Sequence, residues 1–309
     1  MYNLEPEIDD LKAQLREADW KLLREVRNAA ADVPDFTQAR EDGASHTAAS
    51  SRASTPTGLE SILEWRGPIF DNDDICAILD KMGFEIILVF RTRPHIASMA
   101  YDQGNKKGVL KYVTSGKQHE IDILQHLLRL EPPANCIIRP LGIWPVYGGT
   151  LVAMPMGGHR LNMFEGLEPN LLSIMHQLLE GVALLHEHGV AHMDLKPENI
   201  LVRPESIRLS IIDFSVSELV DSPDVMCQGF SGTKGWAAPE VGPKPYSPIL
   251  ADLWSCGRVV HAMCEDLQVS AARDFLLGIS GQLMDPVPGQ RPAAATAMRS
   301  VSEFMEATQ

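Results

Sequence analysis

The chain is short of positive charge. Its 27 Lys and Arg stand against 41 Asp and Glu, a net charge of −14 over 309 residues. A nucleic-acid-binding face needs clustered Lys and Arg on the phosphates, so that class of partner is excluded. A locally basic nucleotide site is not. Cysteine is scarce: Cys76, Cys136, Cys227, Cys256 and Cys264 make an odd set with no C-x-x-C spacing. This argues against a disulfide framework and a zinc site, and for a reducing compartment. The start, Met1-Tyr2-Asn3-Leu4-Glu5, lacks the apolar stretch of a signal peptide. No apolar run reaches the ~18 residues that span a bilayer; Phe84–Phe90 is only of strand length. These absences imply an intracellular protein, cytoplasmic or nuclear, with no membrane partner.

Leu4, Ile8, Leu11, Leu15, Ala18, Leu22 and Ala29 recur at alternating steps of three and four, interrupted at Glu25. The spacing predicts an amphipathic helix over 1–35 with a short coiled-coil-like seam. It serves either for packing on its own chain or for association with a partner or a second copy. Residues 36–58, rich in Ser, Thr and Ala, read as a flexible linker. From there to 309 the chain reads as globular. Five strands are predicted at Phe84–Phe90, His95–Tyr101, Gly108–Val113, Ile138–Trp144 and Thr150–Met154. A helix is predicted over Lys117–Leu130, and a mostly helical part follows Pro155, with a long helix at Leu171–His188.

One segment carries chemistry. His192-Met193-Asp194-Leu195-Lys196-Pro197-Glu198-Asn199 is followed, after an apolar hairpin, by Asp213-Phe214-Ser215. Two carboxylates, a lysine and an asparagine on neighbouring loops are the groups that phosphoryl transfer uses. A single His-x-Asp is commonplace, but three further segments follow in order. They are Gly232-Thr233-Lys234-Gly235-Trp236-Ala237-Ala238-Pro239-Glu240, Asp252-Leu253-Trp254-Ser255-Cys256-Gly257 and Arg291-Pro292.

Together these motifs resemble the catalytic core of the eukaryotic protein kinase superfamily. The resemblance covers about residues 75–309. It implies an α+β, two-lobed protein-kinase-like fold. The small antiparallel-sheet lobe with one helix would span about 75–154, the hinge about 155–160, and a larger helical lobe 161–309. It also implies ATP and Mg²⁺ as cofactors and a protein substrate with a Ser or Thr acceptor, since the Lys-Pro-Glu after Asp194 is similar to serine/threonine-directed kinases. In the resemblance Asp194 is the catalytic base and Lys196 faces the phosphate. Thr233 braces both, while Asn199 and Asp213 hold the metal. Lys111, in Val109-Leu110-Lys111, grips the α- and β-phosphates and pairs with Glu120. Ile96, Val109 and Leu201 line the nucleotide beside hinge residues Met154 and Met156. Met156 supplies the adenine-binding amide, and either Ala153 or Met154 is the gatekeeper. Asp252 holds the catalytic-loop backbone, and Arg291 pairs with Glu240.

Three departures stand out. Val89-Phe90-Arg91-Thr92-Arg93-Pro94 occupies the place of G-x-G-x-x-G and holds no glycine, where glycine lets the backbone approach phosphates closely. Ser215 replaces the glycine after Asp213-Phe214. Met193 replaces the arginine that reads a phosphorylated activation loop, which implies activity independent of loop phosphorylation. The leading expectation is a divergent serine/threonine protein kinase. The alternatives are an inactive pseudokinase acting as a binding or scaffold module and, ranked lower, a small-molecule phosphotransferase.

Overall fold

The computed structural model describes residues 69–90, 95–101, 106–130, 136–146, 148–222 and 225–308. The helix expected over 1–35, the linker at 36–58 and the Arg91–Pro94 turn lie outside them. The described chain divides into two compact units. The first runs to Gly116 and includes Leu141–Met156; the second comprises Lys117–Pro140 and everything from Gly157 onward.

Alternation of buried and solvated side chains builds the sheet of the first unit. β1 (Glu85–Val89), β2 (Ile96–Tyr101), β3 (Lys106–Thr114), β4 (Gly142–Val146) and β5 (Gly149–Pro155) form one antiparallel sheet in the order β1-β2-β3-β5-β4. A bulge lies between Ile86 and Leu88. Cross-strand partners share a face. Ala97, Leu110 and Ala153 are in register, as are Tyr112 and Leu151, and all are buried. Against this face packs helix α1 (Asp73–Lys81) through Ile75 and Leu79, with Phe70 and Phe84 completing the core. Asn72 caps α1 by accepting from Ile75 N at 3.1 Å. Phe84 meets Trp144 edge-on at 5.4 Å.

The five strands were legible in the alternation, with one correction. The strand expected over Ile138–Trp144 begins only at Gly142. Ile138 N donates instead to Ile211 O at 3.1 Å, and Ile137 bridges Ile211, inside the second unit.

Helix α2 (Gln118–Leu128) belongs to the second unit. Two histidines seven residues apart tie it to backbone there: His119 Nε2 to Ser217 O at 2.8 Å and His126 Nε2 to His188 O at 2.9 Å. The long α3 (Leu167–Glu187) buries Leu171, Ile174, Met175, Leu178, Leu179, Val182 and Leu185, a stripe wide enough to be enclosed by neighbours. The short strands β6 (His159–Arg160), β8 (Ile200–Arg203) and β9 (Arg208–Ile211) form one sheet; β7 (Val190–Ala191) pairs with β10 (Glu218–Leu219). α4 (Pro248–Glu265) starts at the capping hydroxyl of Ser247 with Pro248 in its first turn. α5 (Ala271–Leu283) packs on α4, and α6 (Ala294–Ala307) on α3. A sheet unit and a helical unit are the architecture of the protein-kinase fold. Among the described residues no helix is long and apolar enough to cross a membrane.

Candidate active site

Folding fixes the loop between β7 and β8 before any side chain reacts. Asp252, fully buried on α4, accepts from His192 N at 2.5 Å and Met193 N at 2.7 Å, and its Oδ2 lies 3.3 Å from His186 Nε2. These bonds hold Met193 at φ +64, a conformation that side chains other than glycine rarely take. His192, buried against Phe214 with ring centroids 5.1 Å apart, donates Nε2–H to Ile212 O at 3.0 Å. Its Nδ1 accepts from Asp194 N at 3.2 Å. One imidazole thus ties the loop to the end of β9. Ser217 adds a bond from its Oγ to His192 O at 2.9 Å.

Three side chains converge on the Asp194 carboxylate. Lys196 Nζ donates to Oδ2 at 2.6 Å, Asn199 Nδ2 to Oδ2 at 3.0 Å, and Thr233 Oγ1 to Oδ1 at 2.6 Å. Lys196 also donates to Thr233 Oγ1 at 2.6 Å, closing a triangle, and Asn199 Nδ2 reaches Asp194 O at 3.0 Å. The Lys196–Asp194 pair is mostly shielded from solvent, so the charge-assisted bonds within it are stronger than surface pairs. Thr233 can come this close because Gly232 precedes it. Gly232 has φ +91, and a Cβ there would stand 2.4 Å from Met193 O.

Asp213 follows directly on Ile212, whose N donates to Asn199 O at 3.0 Å. Its φ of +68 is the second strained backbone at the site. With the Asn199 amide nitrogen spent on Asp194, its side-chain carbonyl and the carboxylate that Asp213 carries are the oxygen donors these two residues offer. Hard oxygen donors of this kind suit Mg²⁺, which takes one or two carboxylates and completes its shell with phosphate and water. The donor set fits the ion. Further out, Arg291, buried on all sides, makes a bidentate pair with Glu240 and donates to the carbonyls of Leu250 and Asp285.

The remaining site residues expected from the sequence lie elsewhere. Ile96 pairs with Lys111, and Val109 with Met154, so register puts Ile96, Val109, Lys111 and Met154 on one sheet face of the first unit. Ala153 points to the opposite, α1-covered face. The Met156 amide, expected to receive adenine, donates to Lys107 O at 3.0 Å, because β3–β5 pairing runs on past Pro155. Glu120 is buried on α2, and Leu201 lies on β8 against Gly157. Sequence reasoning gave no role to His186, His192 or Ser217. For the two histidines the signal was the histidine-rich run His186–His192, which looks structural until the bonds are traced; Ser217 had none.

Residues 154–276 match the family model of the protein kinase domain. The chain is 40% identical over 119 residues to serine/threonine-protein kinase HAL5 of Candida glabrata, covering 37% of this chain and 14% of that protein. It is 45% identical over 159 residues to the probable serine/threonine-protein kinase KKQ8 of Saccharomyces cerevisiae, covering 49% and 21%. To CBL-interacting serine/threonine-protein kinase 8 of Arabidopsis thaliana it is 40% identical over 89 residues, covering 28% and 20%. The chain thus spans about a fifth or less of the length of these relatives. These matches show a likeness to the protein kinase domain over residues 154–276, less than half of the chain.

Proposed function

We propose that the protein transfers the γ-phosphoryl group of ATP to Ser or Thr hydroxyls of proteins. The observation that carries the reading is the Asp194 carboxylate held by Lys196, Asn199 and Thr233 within 3.0 Å. A carboxylate oriented on two oxygens is ready to accept the proton of an attacking hydroxyl. Lys196, already beside it, offsets charge on the migrating group; Thr233 keeps base and lysine in one geometry. Asn199 and Asp213 would hold Mg²⁺, which supplies neutralisation of the phosphate oxygens. Lys111 is assigned the phosphate contact. Ile96 and Val109, on the Lys111 sheet face, are assigned the apolar adenine lining, and Met154, which shares that face, is assigned the gatekeeper role. The serine/threonine preference agrees with the names of the matched relatives. The seam of residues 1–35 is proposed as the contact for a partner or a second copy.

A second reading, a nucleotide-poor scaffold, is favoured by two observations. No glycine lies in 89–94, and the Met156 amide is committed to Lys107. Thermal shift with ATP separates the two. The enzyme reading requires a rise in melting temperature that depends on Mg²⁺ and disappears in Asp213→Asn and Lys111→Met. No rise under any condition would leave the scaffold reading standing.

A further inference from the structure

A cavity of about 980 Å³ opens where the end of α3, the segment after β10 and the start of α4 meet, within the second unit. Its floor is apolar, built by Val220, Met226, Ile249 and Leu250. Met226 leaves 53% of its surface in water. Its charge is of one sign: Glu187, Asp221 and Glu240 line it, and among the described residues no Lys or Arg does. Glu240 is neutralised by Arg291, and His186 is engaged with Asp252. That leaves Glu187 and Asp221, both exposed, and neither is in an ion pair among the described residues. The 21-residue α3 ends at this rim, and the carbonyl end of a helix adds partial negative charge. The opposing end of α4 is capped by its own Ser247. A cation with an aliphatic stem fits such a rim, and a large apolar side chain fits the floor. The volume, at the upper end of the ~300–1,000 Å³ of ordinary ligand sites, holds more than one side chain.

We propose that this cavity docks a segment of a partner protein that sets Lys or Arg beside a large apolar residue. The cavity wall leads to the catalytic loop, because His186 meets the same Asp252 that holds the His192 and Met193 amides. A partner docked here keeps its own hydroxyls at high local concentration near Asp194. That consequence rests on the phosphoryl-transfer reading; the binding does not.

Fluorescence anisotropy on the full chain, without nucleotide, tests it with a labelled peptide that places paired arginines beside leucines. The expected result is saturable binding that weakens with salt. It should fall about tenfold, equivalent to ~1.4 kcal/mol, in the Glu187→Lys, Asp221→Lys double variant, and comparably in Met226→Glu. A peptide with glutamates in place of the arginines should not bind. Failure of the arginine–leucine peptide to bind a protein that melts cooperatively overturns the proposal. So does binding unchanged by the variants. Equal binding of a leucine-free arginine peptide overturns it too, since that leaves charge attraction without a docking site. Thermal shift with ATP on the same preparation reads the nucleotide site separately, so the two proposals fail independently.

Discussion

A few buried polar residues carry the geometry of the catalytic loop, and each makes a prediction. Asp252→Ala strips the partner from two buried amides. Each unsatisfied donor costs about 1–3 kcal/mol, so the melting temperature should fall by several degrees in a thermal scan. Glu240→Ala leaves the fully buried Arg291 cation unpaired and should cost about 3–5 kcal/mol by chemical denaturation. Glu240→Ala together with Arg291→Met should recover most of that loss. The thiols predict a pH dependence. Burial, with the Glu180 carboxylate second, pushes Cys136 from 9.0 up to about 12. Burial likewise raises Cys264 to about 11. The folded protein thus retains these protons to higher pH than the unfolded chain does. Their contribution to stability is complete below pH 9.0 and is lost as pH rises toward 12. Urea midpoints across that range should decline. At neutral pH these thiols should resist an aromatic disulfide reagent until the protein unfolds.

Elements were legible in the sequence where periodicity or motif order was strong. β1, β2, β3 and β5 followed the alternation. α3 followed its three-and-four spacing, and Lys196, Asn199 and Thr233 gather on Asp194 in the order the motifs imply. What was missed has physical causes. α1 is only 9 residues long and its apolar positions are few, so its helix is visible only through the sheet it covers. The start of β4 was placed too early because Ile137 and Ile138 are β-branched yet pair with Ile211 instead. The Met156 amide was misjudged because a strand's length past a proline depends on its neighbour, not on its own residues. The α1–sheet contact gives its own prediction. Leu79→Ala, in a side chain 1% exposed, should cost about 2–5 kcal/mol in denaturation. Hydrogen exchange should then rise in α1 and the facing strands before it rises in α3.

At the scale of the whole molecule a likeness to the protein kinase domain over residues 154–276 meets one arrangement of side chains. The missing glycines in 89–94 weigh against the proposed transfer, while the group gathered around Asp194 supports it. Gly232→Ala bears on the same balance. A Cβ 2.4 Å from Met193 O at φ +91 should displace Thr233 and lower transfer while leaving Mg²⁺-dependent nucleotide binding in place. The most direct test is incorporation of label from γ-labelled ATP into protein serine and threonine, with Mg²⁺, in the full chain and in Asp194→Asn. The account predicts incorporation that falls about 10²–10⁴-fold in the variant while nucleotide binding persists. Nucleotide bound with no label transferred by the unaltered chain, or equal labelling by the Asp194→Asn protein, would contradict it.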